Sequence, residues 1–144
     1  AGTSWTLLPG VNLKFKAGKS LEVQGGTFTA IGTAQSPIIF DSEAGTVGTW
    51  PGIVIESNYK IEFCQIKNGG ESLLFKGGIT LATEKANIVF NNFTNASNTF
   101  KNNTISGSGG YGILVESMKQ NPDALNVANA NTFSANTSGN VIVK

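Results

Sequence analysis

The chain has 144 residues, a length that suits one domain with a continuous hydrophobic core. Charged residues make up 13%, against roughly a quarter in an average globular protein, and all ten positive residues are lysines. With a net charge of +1 and neither arginine nor histidine, the composition excludes an arginine-built nucleic-acid surface, and the 40% hydrophobic fraction argues against disorder.

Short apolar runs broken by Gly, Pro, Asn or Ser predict strands and turns along almost the whole chain. In chain order the predicted strands are Trp5–Leu8, Val11–Lys16, Leu21–Gln24, Phe28–Ile31, Ile38–Asp41, Ile53–Glu56, Ile61–Ile66, Leu73–Phe75, Ile79–Ala82, Ile88–Phe93, Thr99–Lys101, Ile113–Glu116 and Val141–Val143. Residues 117–130 carry the turn signal Asn-Pro-Asp and are interpreted as a loop with room for one helical turn. No run approaches the ~20 apolar residues that a membrane span needs.

Several landmarks recur along these strands. The frame N-T-F-x-x-N-T begins at Asn98 and again at Asn131, and Gly-Ile pairs open apolar runs at 52, 78 and 112. Spacings in the twenties and low thirties indicate one structural turn per repeat, with loops of variable length. A sandwich gives no reason for such repeats, so the pattern predicts an all-β solenoid of parallel strands, with Phe100 stacked over Phe133.

The abundance of Asn and Gly fits the corners of such a solenoid. Gly supplies positive φ, and Asn tolerates the left-handed region and bonds to nearby backbone. We expect the side chains of four asparagines to occupy corners and to hydrogen-bond one to the next: Asn98, Asn103, Asn131 and Asn136.

Three segments carry a resemblance to a known family. They are "LLPGVNLKFKAGKSLEVQGGTFTAIGTAQSPIIFDS", "GTWPGIVIES" and "NTFKNNTISGSGGYGILVE". On them the chain resembles the right-handed parallel β-helix superfamily, the pectate-lyase-like fold of bacterial extracellular β-helix repeat proteins. The resemblance covers nearly the whole chain and implies a single-stranded right-handed β-helix of about five to six coils. It implies one domain over residues 1–144, part of a larger secreted or cell-surface protein on the extracellular side of a bacterial envelope.

The resemblance is specific for fold rather than activity, because this fold hosts lyases, hydrolases, adhesins and phage spikes. Family lyases hold calcium with clustered Asp and use Arg or Lys as base, and family hydrolases use paired Asp. This chain has two Asp residues, Asp41 and Asp123, in no shared register. Cys64 is the one cysteine and lies in an apolar run, which favours a small buried hydrophobe. We therefore predict no metal, no cofactor and no catalytic residue.

Two carboxylates remain as candidates. Glu56 and Glu116 each end a Gly-Ile strand and could share an outer face with Glu84 or Glu62. Glycoside hydrolysis needs two carboxyl groups roughly 5 to 9.5 Å apart across the scissile bond. The alternative interpretation is a solvated strand end.

Aromatic side chains matter if the protein binds sugars, because flat rings stack on pyranose faces. Trp50 precedes Pro51, so its backbone is extended and its ring either points outward or anchors the start of a coil. Tyr59 and Tyr111 lie in predicted turns and are expected to be exposed. With Glu56 and Glu116, these three aromatic residues form the predicted ligand-binding set.

Two functions from different classes follow. The first is a non-catalytic extracellular β-helix module, structural or adhesive, whose partner is a cell-surface glycan or protein. The second is a polysaccharide lyase or glycoside hydrolase acting on an acidic polysaccharide, with Lys14 or Lys16 as base near Glu22. An ice-binding Thr array is disfavoured, because only Thr27 and Thr29 form a T-x-T pair. The final strand "VIVK" lacks a polar cap, which predicts chain continuation, a covering loop or end-to-end self-association.

Overall fold

Strands of this chain alternate between two parallel sheets. The computed structural model describes residues 3–76, 79–80, 82–91, 97–116 and 124–144. The elements are β1 (Ser4–Leu7), β2 (Asn12–Phe15), β3 (Leu21–Ile31), β4 (Ile38–Ser42), β5 (Ile53–Glu62), β6 (Cys64–Lys67), β7 (Phe75–Lys76), β8 (Ile79–Thr80), β9 (Ala86–Phe90), β10 (Thr99–Lys101), β11 (Thr104–Ser106), β12 (Tyr111–Val115), α1 (Ala124–Asn129), β13 (Thr132–Ser134) and β14 (Gly139–Val143). The all-β prediction is confirmed, and α1 confirms the expected helical turn.

Neighbours in space are far apart in sequence. Across the described ranges, the first sheet runs β1-β3-β5-β9-β12-β14, with β10 also beside β5, and the second runs β13-β11-β6-β4-β2. Adjacent strands within both sheets are parallel. A parallel neighbour cannot be reached through a tight hairpin, so the chain crosses to the other sheet before returning. The short strands β7 and β8 form an antiparallel pair outside the two sheets, which the sequence did not indicate.

The first sheet has two parts. In β3 the pairing register shifts between Gln24 and Thr27, at Gly25 and Gly26, which both have φ of 67°. The part of β5 before this shift pairs with β9, and the part after it pairs with β10. A left-handed glycine pair at a bulge redirects the strand without the clash that a Cβ would introduce. β3 and β5 therefore each contribute two strand segments to the first sheet before the chain enters the second.

The register places like side chains in rows. One buried row of the first sheet joins the aliphatic residues Leu21, Ile53, Ile88, Ile113 and Val141. The matching row of the second sheet is Leu13, Phe40, Ile66, Ile105 and Phe133. These rows belong to one core cluster, completed by edge-to-face packing of Phe90 on Phe100 at 5.1 Å. Burial is thus shared between successive strands, since no single strand could bury its own apolar face.

The predicted stack of Phe100 over Phe133 is wrong. Phe100 pairs with Ile61 in the first sheet, whereas Phe133 pairs with Ile105 in the second. Asn131 is therefore equivalent to Asn103 rather than to Asn98. An Asn-Thr pair followed by an apolar residue stands at the start of β10 in the first sheet and also at the start of β11 and β13 in the second. The repeated sequence frame therefore does not distinguish the two positions.

The asparagine corner is where the chain passes from the first sheet to the second. Asn103 is buried, accepts a hydrogen bond from the Cys64 amide at 2.8 Å and donates to the Ile61 carbonyl at 3.0 Å. One level on, Asn131 accepts from the Asn103 amide at 3.0 Å and donates to the Phe100 carbonyl at 3.1 Å. Each of these side chains hydrogen-bonds to backbone groups of a neighbouring connection between the two sheets. The prediction that the Asn side chains bond to one another is therefore wrong for this pair. Asn98 and Asn136 bond in the same way, to the amides of Tyr59 and Ser108.

Part of the outward side of the first sheet is apolar. Val54, Val89 and Leu114 alternate with the core rows, yet all three are fully buried. Leu74 and Ala82, from the segment between β6 and β9, pack over them in a second hydrophobic cluster. This part of the sheet face is therefore covered, whereas the next outward positions along the strands hold the polar residues Gln24, Glu56 and Glu116. Across the described ranges, no helix is long and apolar enough to cross a membrane.

Candidate functional site: a corner with two clefts

Two of the predicted ligand-binding rings are buried. Trp50 is 0% exposed, stacks on Phe15 with centroids 4.2 Å apart, and donates from Nε1 to the Lys67 carbonyl at 2.8 Å. Tyr59 is 4% exposed, lies within β5 rather than in a turn, and packs on Phe90 at 5.0 Å. The expectation that Tyr59 is exposed is wrong, because Phe90 packs against its ring, and ligand contact by either ring stays a prediction. The alternative of Trp50 as an anchor is confirmed.

The Glu56 and Glu116 carboxylates are engaged by neighbouring side chains. Glu56 accepts hydrogen bonds from Gln24 and, at 3.3 Å, from Asn91. Glu116 accepts from the amide and hydroxyl of Thr83 at 2.7 and 2.9 Å. The Asn91 amide bonds to the strand of Glu56, and the Glu116 amide bonds to the carbonyl just before Asn91. Asn91 therefore lies between the two residues, whose backbones are two strand spacings, about 10 Å, apart.

The other two carboxylates proposed for that face are also paired. Glu62 accepts from the Thr99 hydroxyl at 2.7 Å and lies 3.8 Å from the Lys101 ammonium. Glu84 forms an ion pair with Lys144 at 2.7 Å. Each of the four predicted carboxylates thus has a structural partner.

Asp41 is a buried hub on the outer row of the second sheet. Its carboxylate accepts hydrogen bonds from the Lys14 ammonium at 2.7 Å, the Asn68 side-chain amide at 2.7 Å and the Ser42 backbone amide at 2.8 Å. The Lys67 ammonium lies 3.6 Å away. Burial raises the pKa of this carboxyl, but the bonds from Lys14 and Asn68, the Lys67 charge and the Ser42 amide outweigh burial and hold the pKa below its ordinary value. Lys14 is therefore occupied by a structural ion pair.

The predicted lysine-carboxylate constellation is not assembled. Lys14 belongs to β2 of the second sheet, whereas Glu22 belongs to β3 of the first. Asp123 lies outside the described residues. Within the described part of the chain, no group of three or more His, Cys, Asp or Glu side chains could hold a metal ion.

Cys64 is buried at the start of β6. Its thiol lies 3.2 Å from the Ala30 carbonyl, and burial raises the pKa of the thiol to about 12. This placement confirms the interpretation of Cys64 as a buried hydrophobe, because a thiol with that pKa is a poor nucleophile at neutral pH.

Glycines line the corner where the chain returns from the second sheet to the first. A Cβ on Gly109 would lie 2.7 Å from the Gly70 carbonyl oxygen and 3.1 Å from the Gly48 Cα. A Cβ on Gly70 would lie 2.6 Å from the Ser108 hydroxyl, and Gly70 also has a φ of 74°. Only glycine allows these three loops to approach so closely. We call these stacked residues, Gly48, Gly70 and Gly109, the glycine saddle.

A cleft of about 350 Å³ opens on one side of the saddle. We call it the Tyr111 cleft. It is lined by Leu73, Thr83, Glu84, Lys85, Gly109, Gly110, Tyr111 and Ser138. Tyr111 is the first residue of β12 rather than part of a turn, and its partly exposed ring lies over Gly139, where a Cβ would be 3.5 Å from the ring. Among the residues that the structure describes, the exposed Lys85 ammonium and Ser138 hydroxyl have no protein partner.

A second cleft, of about 440 Å³, opens on the other side of the saddle. This Lys16 cleft is lined by Lys16, Ala17, Glu43, Ala44, Gly48, Thr49 and Glu71. The Glu71 carboxylate accepts from the Gly18 amide at 2.7 Å. The exposed side chains of Lys16 and Glu43 pair neither with each other nor with any other described residue.

Sequence reasoning named Tyr111, Glu84 and Lys16 but did not place them in clefts, and it missed the other lining residues. Glu43, Lys85 and Ser138 belong to no motif. The one signal in the sequence was the run S-G-S-G-G-Y-G, because consecutive glycines mark a close approach of backbones. Comparisons with protein-family models, with curated proteins and with solved structures find no match to the chain.

Proposed function

We propose that the chain is a right-handed parallel β-helix module of the bacterial extracellular type, with about five to six coils. Alternation between two parallel sheets, the division of β3 and β5 into two segments, and rows of like side chains all support this winding. A module of this kind would belong to a secreted or cell-surface protein.

The function that the geometry supports best is non-catalytic: a structural or adhesive module that binds a surface carbohydrate in the Tyr111 cleft. The observation that carries this proposal is that one cleft combines a partly exposed tyrosine ring with an ammonium and a hydroxyl that bond to no other described residue. Tyrosine offers an apolar face with a polar end, and a few convergent polar groups fix the orientation of a ligand in a cleft.

Engagement of the carboxylates favours binding over catalysis. Asp41, Glu56, Glu62 and Glu116 each accept hydrogen bonds from neighbouring residues. A general acid or base must reach the substrate proton directly or through one water.

A glycan array tests the proposal with wild-type protein, Tyr111→Ala and Tyr111→Phe. We expect the wild type to bind at least one surface glycan, Tyr111→Ala to bind it about tenfold more weakly, and Tyr111→Phe to retain most of the affinity. Trp5→Ala is the matched control, because Trp5 is an exposed ring (43%) outside the Tyr111 cleft. Absence of wild-type binding to every glycan would overturn the carbohydrate proposal.

The enzymatic alternative has a separate test. Acidic polysaccharides incubated with the protein, with and without calcium, would develop the absorbance of an unsaturated uronate if the chain were a lyase. Reducing ends would appear if it were a hydrolase. We expect neither signal, and either one would replace the binding module by an enzyme.

A further inference from the structure

The Tyr111 cleft and the Lys16 cleft are neighbours on one edge of the molecule. Gly48 lines the Lys16 cleft and Gly109 lines the Tyr111 cleft, and a Cβ on Gly48 would lie 3.2 Å from the Gly109 Cα. Glu71 of one cleft is two residues from Leu73 of the other. The boundary between the clefts is the glycine saddle, which carries no side chain that would stand between two ligands.

The edge is long enough for an extended ligand. Its loops follow β2, β4, β6, β11 and β13, which are successive neighbours in the second sheet. Lys16 follows the first of these strands and Ser138 follows the last. Four spacings between parallel strands give an edge of about 19 Å.

Both clefts contain polar groups that have no partner among the described residues. The Lys16 ammonium and Glu43 carboxylate belong to the Lys16 cleft, and the Lys85 ammonium and Ser138 hydroxyl to the Tyr111 cleft. A charged group forms stronger hydrogen bonds to hydroxyls than a neutral one does. Ala17 and Ala44 supply a small apolar surface in the Lys16 cleft, which suits the CH face of a sugar ring.

We propose that the two clefts are subsites of one groove, which takes a linear oligosaccharide lying across the glycine saddle, parallel to the direction in which the strands stack. The inference rests on the proposed function, since it assumes that the Tyr111 cleft binds sugar. It adds a second binding site and a ligand shape: an unbranched chain longer than one cleft. Two linked subsites raise the affinity for a ligand that spans both and leave the affinity for a short ligand unchanged.

Titration calorimetry with oligosaccharides of increasing length tests this. The probes are β-1,4-linked glucose, β-1,4-linked N-acetylglucosamine and α-1,4-linked galacturonic acid series, each from disaccharide to octasaccharide, together with any series that the glycan array identifies. For the series that binds, we expect affinity to rise by about tenfold or more with length and then to level off.

Variants separate the two subsites. The double variant Lys16→Ala/Glu43→Gln should remove the gain with length and leave the shortest bound oligosaccharide unaffected. Tyr111→Ala should weaken binding at every length. Lys19→Ala is the matched control, because Lys19 is an exposed lysine in the same loop that does not line the cleft. It should bind as the wild type does.

The outcomes distinguish the two proposals. Binding without dependence on length, or a gain with length that survives in the double variant, would overturn the groove and leave the Tyr111 cleft standing. Binding to branched chains as tight as to linear ones would also overturn it. Absence of binding at every length in every series would overturn both proposals.

Discussion

The asparagine corner and the glycine corner join the same two sheets, yet they differ in the polar side chains that they leave exposed. At the asparagine corner, the side chains of Asn103 and Asn131 form hydrogen bonds to backbone amides and carbonyls, which would otherwise lack a partner there. At the glycine corner, backbone contacts close the loops, and the exposed side chains of Lys16, Glu43 and Lys85 have no partner among the described residues. Asparagines support the backbone at the glycine corner too, where Asn87 and Asn136 accept from the amides of Gly69 and Ser108, so the two corners differ in their exposed charged side chains rather than in their use of asparagine.

The largest expected effect concerns Cys64, which lies beside the asparagine corner. Its pKa of about 12, against an ordinary 9.0, should reduce the thiolate fraction at pH 8 by about a thousandfold relative to the unfolded chain. Ellman's reagent should therefore react with Cys64 slowly in buffer and rapidly in urea. Fast reaction in buffer would show that the asparagine corner opens readily. The asparagine corner would then not be the structurally closed one of the two corners.

Asn103→Ala should destabilise the fold by about 3 kcal/mol, because the Cys64 amide and the Ile61 carbonyl would remain buried without partners. Urea denaturation measures the loss of unfolding free energy. The same variant should also speed Cys64 labelling in buffer. Asn140→Ala is the control, since Asn140 is exposed on β14, and it should change stability by less than about 0.5 kcal/mol. Equal losses in the two variants would contradict the structural role of the corner.

Asp41→Asn should cost about 2 kcal/mol at pH 7, because it weakens charge-assisted bonds to Lys14 and Asn68. The pKa of Asp41 is lowered in the folded state, so its contribution is present above the unfolded pKa and is lost as pH falls through the folded pKa. The difference in unfolding free energy between wild type and variant should therefore be constant near pH 7 and shrink below about pH 4. A difference that grows on acidification would reverse the sign assigned here.

The smallest expected effects belong to the glycine corner. Lys16→Ala and Lys85→Ala should each change the free energy of unfolding by less than about 0.5 kcal/mol, because neither ammonium pairs with any residue in the described part of the chain. Urea denaturation under the conditions used for Asn103→Ala provides the measurement. A loss comparable to that of Asn103→Ala would mean that these lysines support the fold, and the distinction between the corners would disappear.

Much of the architecture could be predicted from local pattern. Apolar runs such as Ile38–Asp41 and Ile53–Glu56 gave the position of strands, and their repetition gave parallel stacking. The strands β11 and β13 were missed, because Thr-Ile-Ser and Thr-Phe-Ser are too short and too polar to stand out. Their burial depends on the row that receives Ile105 and Phe133, which exists only when distant strands come together.

The candidate site was less predictable for the same reason. Trp50 and Tyr59 were judged by their neighbours in sequence, but Phe15 and Phe90, which cover them, come from other strands. The clefts are built from loops after five different strands, and no local pattern links Lys16 with Glu43 or Lys85 with Ser138.

The sequence by itself determined the strand content, the parallel repetition and the use of Asn and Gly at corners, because these follow from side-chain alternation and backbone preference over a few residues. Tertiary structure alone decided which asparagines share a corner, which rings are covered and which charged groups are left without a partner. Those properties depend on the pairing register between strands some 30 residues apart, and register is set by the fit of the whole stack rather than by any single run.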